Sequence, residues 1–261
     1  MTFLEQTPIA ILWQAVNAQT GASRSWHVND LYNHERRYLA DLAMIARLAP
    51  GETVLEVGAA PCHMTALLRL HGYSVIGVDI DPDRVGDLIE RFGLDVRRCD
   101  IERSPLPFPD ERFACAMLCE TFEHLRIDPA FVLSEINRVL KPGGVLLVTT
   151  PNVYSLPSLG RYLLGRSIAD PVQEFGKLRS IGHMGHVREY SASEVARFLV
   201  AAGFGVQAID YRYHLNRRSR RGKLLHLAYR IAPRRFRREI VVVARKVAPG
   251  PRLAPLLPAA A

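Results

Sequence analysis

The stretch TVLEVGAAPCHMTALL, residues 53–68, decides the fold. A short β-branched run carries one acid, Glu56, and stops at Gly58, after which apolar residues recur at helical spacing. Strand, glycine turn and helix in that order form the opening unit of an α/β sheet, and the first amides of such a helix are free to meet an anion.

From Thr53 onward the same alternation repeats, which predicts a parallel sheet with crossover helices and excludes all-β and all-helical classes. Strands are expected near 53–57, 74–78, 94–98, 113–118 and 144–150, with helices near 63–71, 83–92 and 129–140. In PAFVLSEINRVLKPGG, Val132, Ile136, Val139 and Leu140 share one face before Pro142-Gly143-Gly144 ends the helix. Ser191 and Glu194 have capping-box spacing, so a helix runs from there to about Ala202. FGVQAIDY and EIVVVARK (239–246) read as a sixth and a seventh strand.

The flanks differ in character. Residues 1–49 read as a partly amphipathic helical cap with Leu39, Leu42, Ala43 and Ala46 on one face, and residues 50–246 as the main domain. The Pro/Ala-rich 247–261 reads as a disordered tail. The start of the chain lacks a basic n-region, and no run approaches the ~18 apolar residues of a membrane span, so a cytoplasmic location is expected. The cysteines Cys62, Cys99, Cys115 and Cys119 form no CxxC pair, so neither a disulfide framework nor a zinc site is signalled.

Charge is concentrated. The chain carries +8, yet residues 1–211 hold 20 basic against 25 acidic side chains, whereas 212–246 hold 13 against one. Thirty of the 34 basic residues are arginine, which fits phosphate recognition or a chain-wide arginine bias equally.

In an open parallel sheet, ligands bind beyond the carboxyl ends of the strands where the winding reverses. Gly58 follows the first strand. Asp79 follows the second, 21 residues beyond Gly58, a spacing that suits an acceptor for ribose hydroxyls. Asp81-Pro82 reads as the cap and first turn of the next helix. Asp100 and Ile101 follow the third strand, an acceptor beside an apolar residue, as an adenine amino group and ring require. Glu120, Glu123 and His124 follow the fourth.

Together these residues resemble the class I S-adenosylmethionine-dependent methyltransferases, in particular those acting on small molecules and lipids. VLEVGAAPCHMT, VIGVDIDP and CDIE stand at the family's first three motifs, and SPLPFPDERFACAMLCETFEHL with INRVLKPGGVLLVTTPN at its fourth and fifth strands. The resemblance runs from about Pro50 to Phe204. It implies a doubly wound, Rossmann-like sheet of seven mostly parallel strands with an antiparallel last strand, S-adenosyl-L-methionine as cofactor, and Glu56, Gly58, Ala60, Asp79, Ile80, Asp100, Ile101 and Cys119 around it. Ala60 and Cys62 occupy the second and third glycine positions of the first motif. A reshaped working pocket and a fold that binds cofactor poorly are the two readings; the retained Glu56, Gly58, Asp79 and Asp100 favour the first. A dehydrogenase wants G-x-G-x-x-G, which G-A-A-P-C-H is not.

Methyl transfer by in-line displacement needs mainly positioning, and a base near neutral pH helps a hydroxyl acceptor. His124 is the first candidate base and His186 the second. His183, Arg188 and Tyr190 are candidates for orienting the acceptor. The H-x-x-H spacing of His183 and His186 lacks a partnered acid or Cys motif, so no metal site is assigned. The acceptor is expected to meet residues 1–49, 151–190 and the basic insertion 214–238. No N/D-P-P-Y/F follows the fourth strand and no proline precedes Cys119, which disfavours nucleic-acid base methylation; O-methylation of a small-molecule, lipid-linked or saccharide acceptor is expected.

Within the insertion, Leu224, Leu227, Ala228 and Ile231 recur at helical spacing between arginines. That pattern fits contact of 217–238 with an anionic membrane surface, or an apolar stripe packed on the domain. RNA is the weaker reading because stacking aromatics are sparse. Oligomeric state is silent.

Overall fold

A computed structural model of the chain describes residues 7–20, 24–181, 185–214 and 220–257. The main body alternates strand and helix: β1 (Val54–Val57), α3 (His63–Leu70), β2 (Val75–Asp79), α4 (Gly86–Phe92), β3 (Asp95–Arg98), β4 (Phe113–Cys119), α5 (Pro129–Val139) and β5 (Leu140–Pro151). Ahead of it lie α1 (Pro8–Ala18) and α2 (Arg24–Leu48); beyond it come α6 (Leu156–Leu163), α7 (Pro171–Ile181), α8 (Ala192–Ala201), β6 (Phe204–Arg212), α9 (Arg220–Ile231) and β7 (Glu239–Lys246).

The seven strands form one sheet in the order β3-β2-β1-β4-β5-β7-β6. β1 to β5 pair in parallel, and β7 lies antiparallel between β5 and β6. The α/β class, the seven strands and the antiparallel last strand are as the sequence predicts. β6 therefore runs in the direction of β5, and its connection to β7 emerges at the carboxyl end of the sheet. The winding reverses between β1 and β4, which opens the ligand crevice there.

Apolar residues on each face of the buried strands feed two cores, one under α5 and α8 around Phe113, Phe122 and Phe131, the other under α1 to α4 around Leu31, Leu67 and Leu88. Both faces of the sheet are thus covered, as a parallel sheet requires. α8 starts with the expected capping box: the Ser191 hydroxyl accepts the Glu194 amide, and the Glu194 carboxylate accepts the Ser191 amide.

Four expectations need correction. The buried face of α2 is Leu31, Tyr38, Leu42 and Ile45, while Leu39, Ala43 and Ala46 face outward; the larger side chains remove more apolar area from water than two alanines can. Leu140 is extended and opens β5 rather than closing α5. Asp81 starts the 3-10 turn Pro82–Val85 without a side-chain cap bond, its carboxylate meeting the Arg98 guanidinium instead. The beginning of the tail is tied down: Asn137 donates to the Ala248 carbonyl and accepts the Gly250 amide, and Arg252 pairs with Asp110.

Candidate active site

A cleft of roughly 2270 Å³ opens over the carboxyl ends of β1, β2 and β4. Gly58, Ala60, Asp79, Ile80, Asp100 and Ile101 line one end of it, along with Glu56 and Cys119. The eight residues expected around a cofactor thus come together on one wall.

Local chemistry explains their placement. Gly58 adopts φ +78°, and its amide donates to the Val78 carbonyl across the strand ends. The Asp79 carboxylate accepts the Ala60 amide at 2.9 Å on Oδ2 and the Asp81 amide at 3.0 Å on Oδ1. Two amides fix its orientation; Arg84 also approaches Oδ1, at 3.5 Å, and Oδ2 keeps a lone pair for a further donor. Glu56 is buried and accepts the Thr65 hydroxyl at 2.5 Å. Burial pushes its carboxyl up to about 8, against the hydrogen bond from Thr65 and the nearby Arg37 charge.

Cys62 behaves differently from Ala60. It is the loop's second left-handed residue, φ +65°, and its side chain is fully buried in the apolar cluster beneath α3 instead of lining the cleft. It therefore does not reshape the pocket. Burial drives its thiol far above the ordinary range, so it is an inert core residue.

α2 supplies a second wall, within the residues 1–49 expected to meet the acceptor, but from side chains that the sequence did not single out. Asp30, His34, Arg37 and Asp41 face the cleft from successive turns. Asp30 accepts the Tyr38 hydroxyl at 2.6 Å and Nδ1 of His63 at 3.0 Å, which pins α2 to the start of α3. Burial opposes the Asp30 charge, but the hydrogen bonds from His34 and His63 outweigh it and hold the carboxyl far below its usual range. The signal was present as polar residues at i, i+4, i+7 and i+11, a helical stripe beside the buried apolar one.

Beneath Arg37, Arg212 bridges Asp41 on α2 and Glu239 on β7, donating to Glu239 Oε2 at 2.6 Å. The two carboxylates that share this cation diverge. Burial opposes both charges, but hydrogen bonds from His214 and Arg212 hold Glu239 low, whereas Asp41 is pushed up.

At the far end of the cleft lie Glu120, Glu123, His124 and His186. The 3-10 turn Phe122–His124 presents Glu123 and His124 directly after β4. The Glu123 carbonyl accepts the Val187 amide at 2.9 Å and that of Arg188 at 3.3 Å, so the segment carrying His186 folds back onto this turn. Glu123 Oε2 accepts the Thr150 hydroxyl at 2.9 Å. Burial raises both Glu120 and Glu123 above the ordinary carboxylate range.

Two expected acceptor-side residues stand elsewhere. Tyr190, 4 % exposed, is packed between Phe122 and Phe198 in the core. Arg188 lies on the surface, paired with Glu194 at 2.6 Å. An aromatic ring removed from water by two others outweighs a polar contact at a cleft mouth. His183 lies outside the described residues.

A family model described as a methyltransferase domain matches residues 32–209. The chain belongs to the class I S-adenosylmethionine-dependent methyltransferases. Membership brings S-adenosylmethionine as cofactor, and the wall from Gly58 to Ile101 fits it: an oriented acceptor for a diol at Asp79, a loop that opens on Gly58 and presents only the small side chains of Ala59, Ala60 and Pro61, and an acid beside an apolar residue at Asp100-Ile101. The chain is 32 % identical over 173 residues to a probable S-adenosylmethionine-dependent methyltransferase of Mycolicibacterium smegmatis, covering 66 % of this chain and 59 % of that one. It is 32 % identical over 114 residues to the 2-methyl-6-phytyl-1,4-hydroquinone methyltransferase of Synechocystis, covering 40 % and 34 %. Its fold is shared with a Thermotoga maritima protein described as a SAM-dependent methyltransferase, possible histamine N-methyltransferase, with TM-score 0.58, 18 % identity, and coverage of 90 % and 99 %.

Proposed function

We propose that the protein transfers a methyl group from S-adenosylmethionine to an oxygen of a small, lipid-linked or saccharide acceptor. The observation that carries this reading is the continuity of the cleft from Asp79 to the Glu123–His124–His186 end. A cofactor held at the first end leaves the second for an acceptor.

When bound, the cofactor supplies a sulfonium-activated methyl group. The protein's part is orientation and proton management. Asp79 and Gly58 set the cofactor's position, and α2 closes the cleft with Arg37 and Tyr38. At the acceptor end, Nδ1 of His124 donates to the Gly185 carbonyl at 2.8 Å, which selects the neutral tautomer whose Nε2 can take a proton. His186 is placed to act beside it.

The lipid side of the reading has its own support. α9 is anchored by Tyr229, which is buried and stacks on Tyr213 with ring centroids 4.6 Å apart. Leu224, Leu227 and Ile231 are turned outward, 71 %, 52 % and 79 % exposed, while Leu225 lines the cleft. This outward apolar stripe, set among arginines beside the cleft mouth, suits contact with an anionic membrane surface better than packing on the domain. Among the described residues, no helix is long and apolar enough to cross a membrane.

Calorimetric titration with S-adenosylmethionine and its demethylated product tests the reading. Both should bind, and Asp79→Ala should weaken both by about 10- to 100-fold, the worth of hydrogen bonds to a charged group. Absence of binding at high protein concentration would leave only the fold.

A further inference from the structure

We propose that Glu123, His124 and His186 bind one divalent first-row transition cation at the acceptor end of the cleft. The site deepens the methyl-transfer reading and, in its chemical role, rests on it.

The geometry is that of a three-point chelate. The ligand atoms of the three residues all lie within 4.8 Å of one another, and Glu123 Oε1 stands 3.9 Å from Nε2 of each histidine. A tetrahedral set with bonds of about 2.1 Å has edges of about 3.4 Å. A closure of roughly half an ångström along the edges from Oε1 to the histidines brings these to bonding length.

Each ligand is prepared by a second partner. Nδ1 of His124 faces a carbonyl, which can only accept, so the neutral ring carries its proton there and turns the Nε2 lone pair towards the site. Nδ1 of His186 faces the Glu189 carboxylate at 3.3 Å, the carboxylate–histidine pairing that orients metal-bound imidazoles. Glu123 binds Thr150 through Oε2 and aims Oε1 at the histidines.

That oxygen supplies the independent observation. Glu123 is 1 % exposed, and Oε1 has no hydrogen-bond partner among the described residues. An orphaned carboxylate oxygen at such burial is costly unless something charged meets it. A cation between Oε1 and two unprotonated imidazole nitrogens would meet it.

Two imidazoles and one carboxylate suit Zn²⁺ and its first-row neighbours, and three protein ligands leave a position open. An acceptor hydroxyl oxygen in that position loses its proton more readily, because the cation stabilises the resulting oxyanion. With Nε2 of His124 committed to the cation, the cation replaces that histidine as the group that draws off the proton: the O–H bond breaks and the proton passes to solvent at the cleft mouth. An oxygen lone pair then forms the C–O bond as the C–S bond breaks, its electron pair returning to sulfur, which leaves as a neutral thioether.

The full chain, stripped with chelator and dialysed, is titrated with Co²⁺ alone while its visible absorption is followed, and with Zn²⁺ by calorimetry. One ion per chain is expected, with d–d bands of low-symmetry cobalt, and at least about a 10-fold loss of affinity in Glu123→Gln and in His186→Ala. His186 is 41 % exposed on an irregular segment, so its variant is the one expected to keep the fold, and far-UV dichroism checks both variants. Failure of the wild-type chain to bind stoichiometrically, or unchanged affinity in a folded His186→Ala, overturns the site. S-adenosylmethionine titration of the same samples separates the two readings: cofactor binding without metal binding sinks this inference alone, whereas metal binding without cofactor binding keeps the site and sinks its methyl-transfer role.

Discussion

Gly58 and Thr121 approach so closely at the ends of β1 and β4 that a Cβ on Gly58 would lie 2.8 Å from Thr121 Cγ2 and nearer still to its hydroxyl. Thr121 cannot rotate away without cost, because its hydroxyl donates to the Val57 and Cys119 carbonyls at 3.3 and 3.2 Å. Gly58 also has φ +78°, where a side chain is strained by roughly 1–2 kcal/mol. Gly58→Ala should therefore lose about 2–5 kcal/mol, strain and overpacking together, and melt about 5–15 °C lower. Cys62→Gly at the other left-handed position should leave cofactor affinity within about two-fold, since its side chain is in the core, not the cleft. A Gly58→Ala protein that melts like the parent, or a Cys62→Gly protein that loses the cofactor, would refute this account of the loop.

The Asp41–Arg212–Glu239 bridge ties the helical cap to the last strands, and its removal should be costly. Arg212→Met leaves two buried carboxyl groups without their shared cation, an expected loss of about 3–5 kcal/mol in urea unfolding at neutral pH. The pH dependence has a definite sign. Glu239 is held down to about 2 in the folded chain against 4.5 for the unassisted group, so its contribution is complete above about 4.5 and fades as the pH falls towards 2. The gap between parent and Arg212→Met should thus narrow in acid. A gap that stays constant from pH 7 to pH 3 would assign the loss to packing alone.

The outward stripe of α9 predicts retention on lipid. Vesicles containing anionic lipid should sediment the protein at low salt, release it at high salt, and retain it much less after Leu224→Ser and Leu227→Ser, while neutral vesicles bind it weakly. Retention that ignores both lipid charge and the two leucines would remove the membrane from the proposal.

The parts of this molecule that were legible in its sequence are those written in local periodicity. β1 to β5, the capping box at Ser191 and the acids after successive strands follow from side-chain alternation and turn chemistry over a few residues. The side chains of the α2 wall were hidden because its buried face mixes Arg37 and Asp41 with apolar residues, and a burial pattern read from hydrophobicity discards charges. Tyr190 was misplaced for the converse reason: its neighbours His186 to Glu189 are polar, whereas Phe122 and Phe198, which enclose it, are distant in sequence. The meeting of His124 with His186 depends on the Val187 and Arg188 amides reaching back to the Glu123 carbonyl, a tertiary contact that no spacing encodes.

Glu56 predicts that cofactor binding is proton-linked. Its carboxyl lies on the cleft wall with burial holding it near 8, so at pH 7 most chains carry it protonated. A cationic ligand in the cleft favours the carboxylate, lowers that value and expels a proton. Calorimetric titration with S-adenosylmethionine at pH 7 should therefore give an apparent enthalpy that varies with the ionisation enthalpy of the buffer, in the direction of proton release, and the variation should be smaller at pH 9, where the group is already ionised. In Glu56→Gln the dependence should vanish while binding persists, because glutamine keeps the hydrogen bond with Thr65 and cannot titrate. A buffer-independent enthalpy in the parent, or an equal dependence in Glu56→Gln, would move the linked proton to another group.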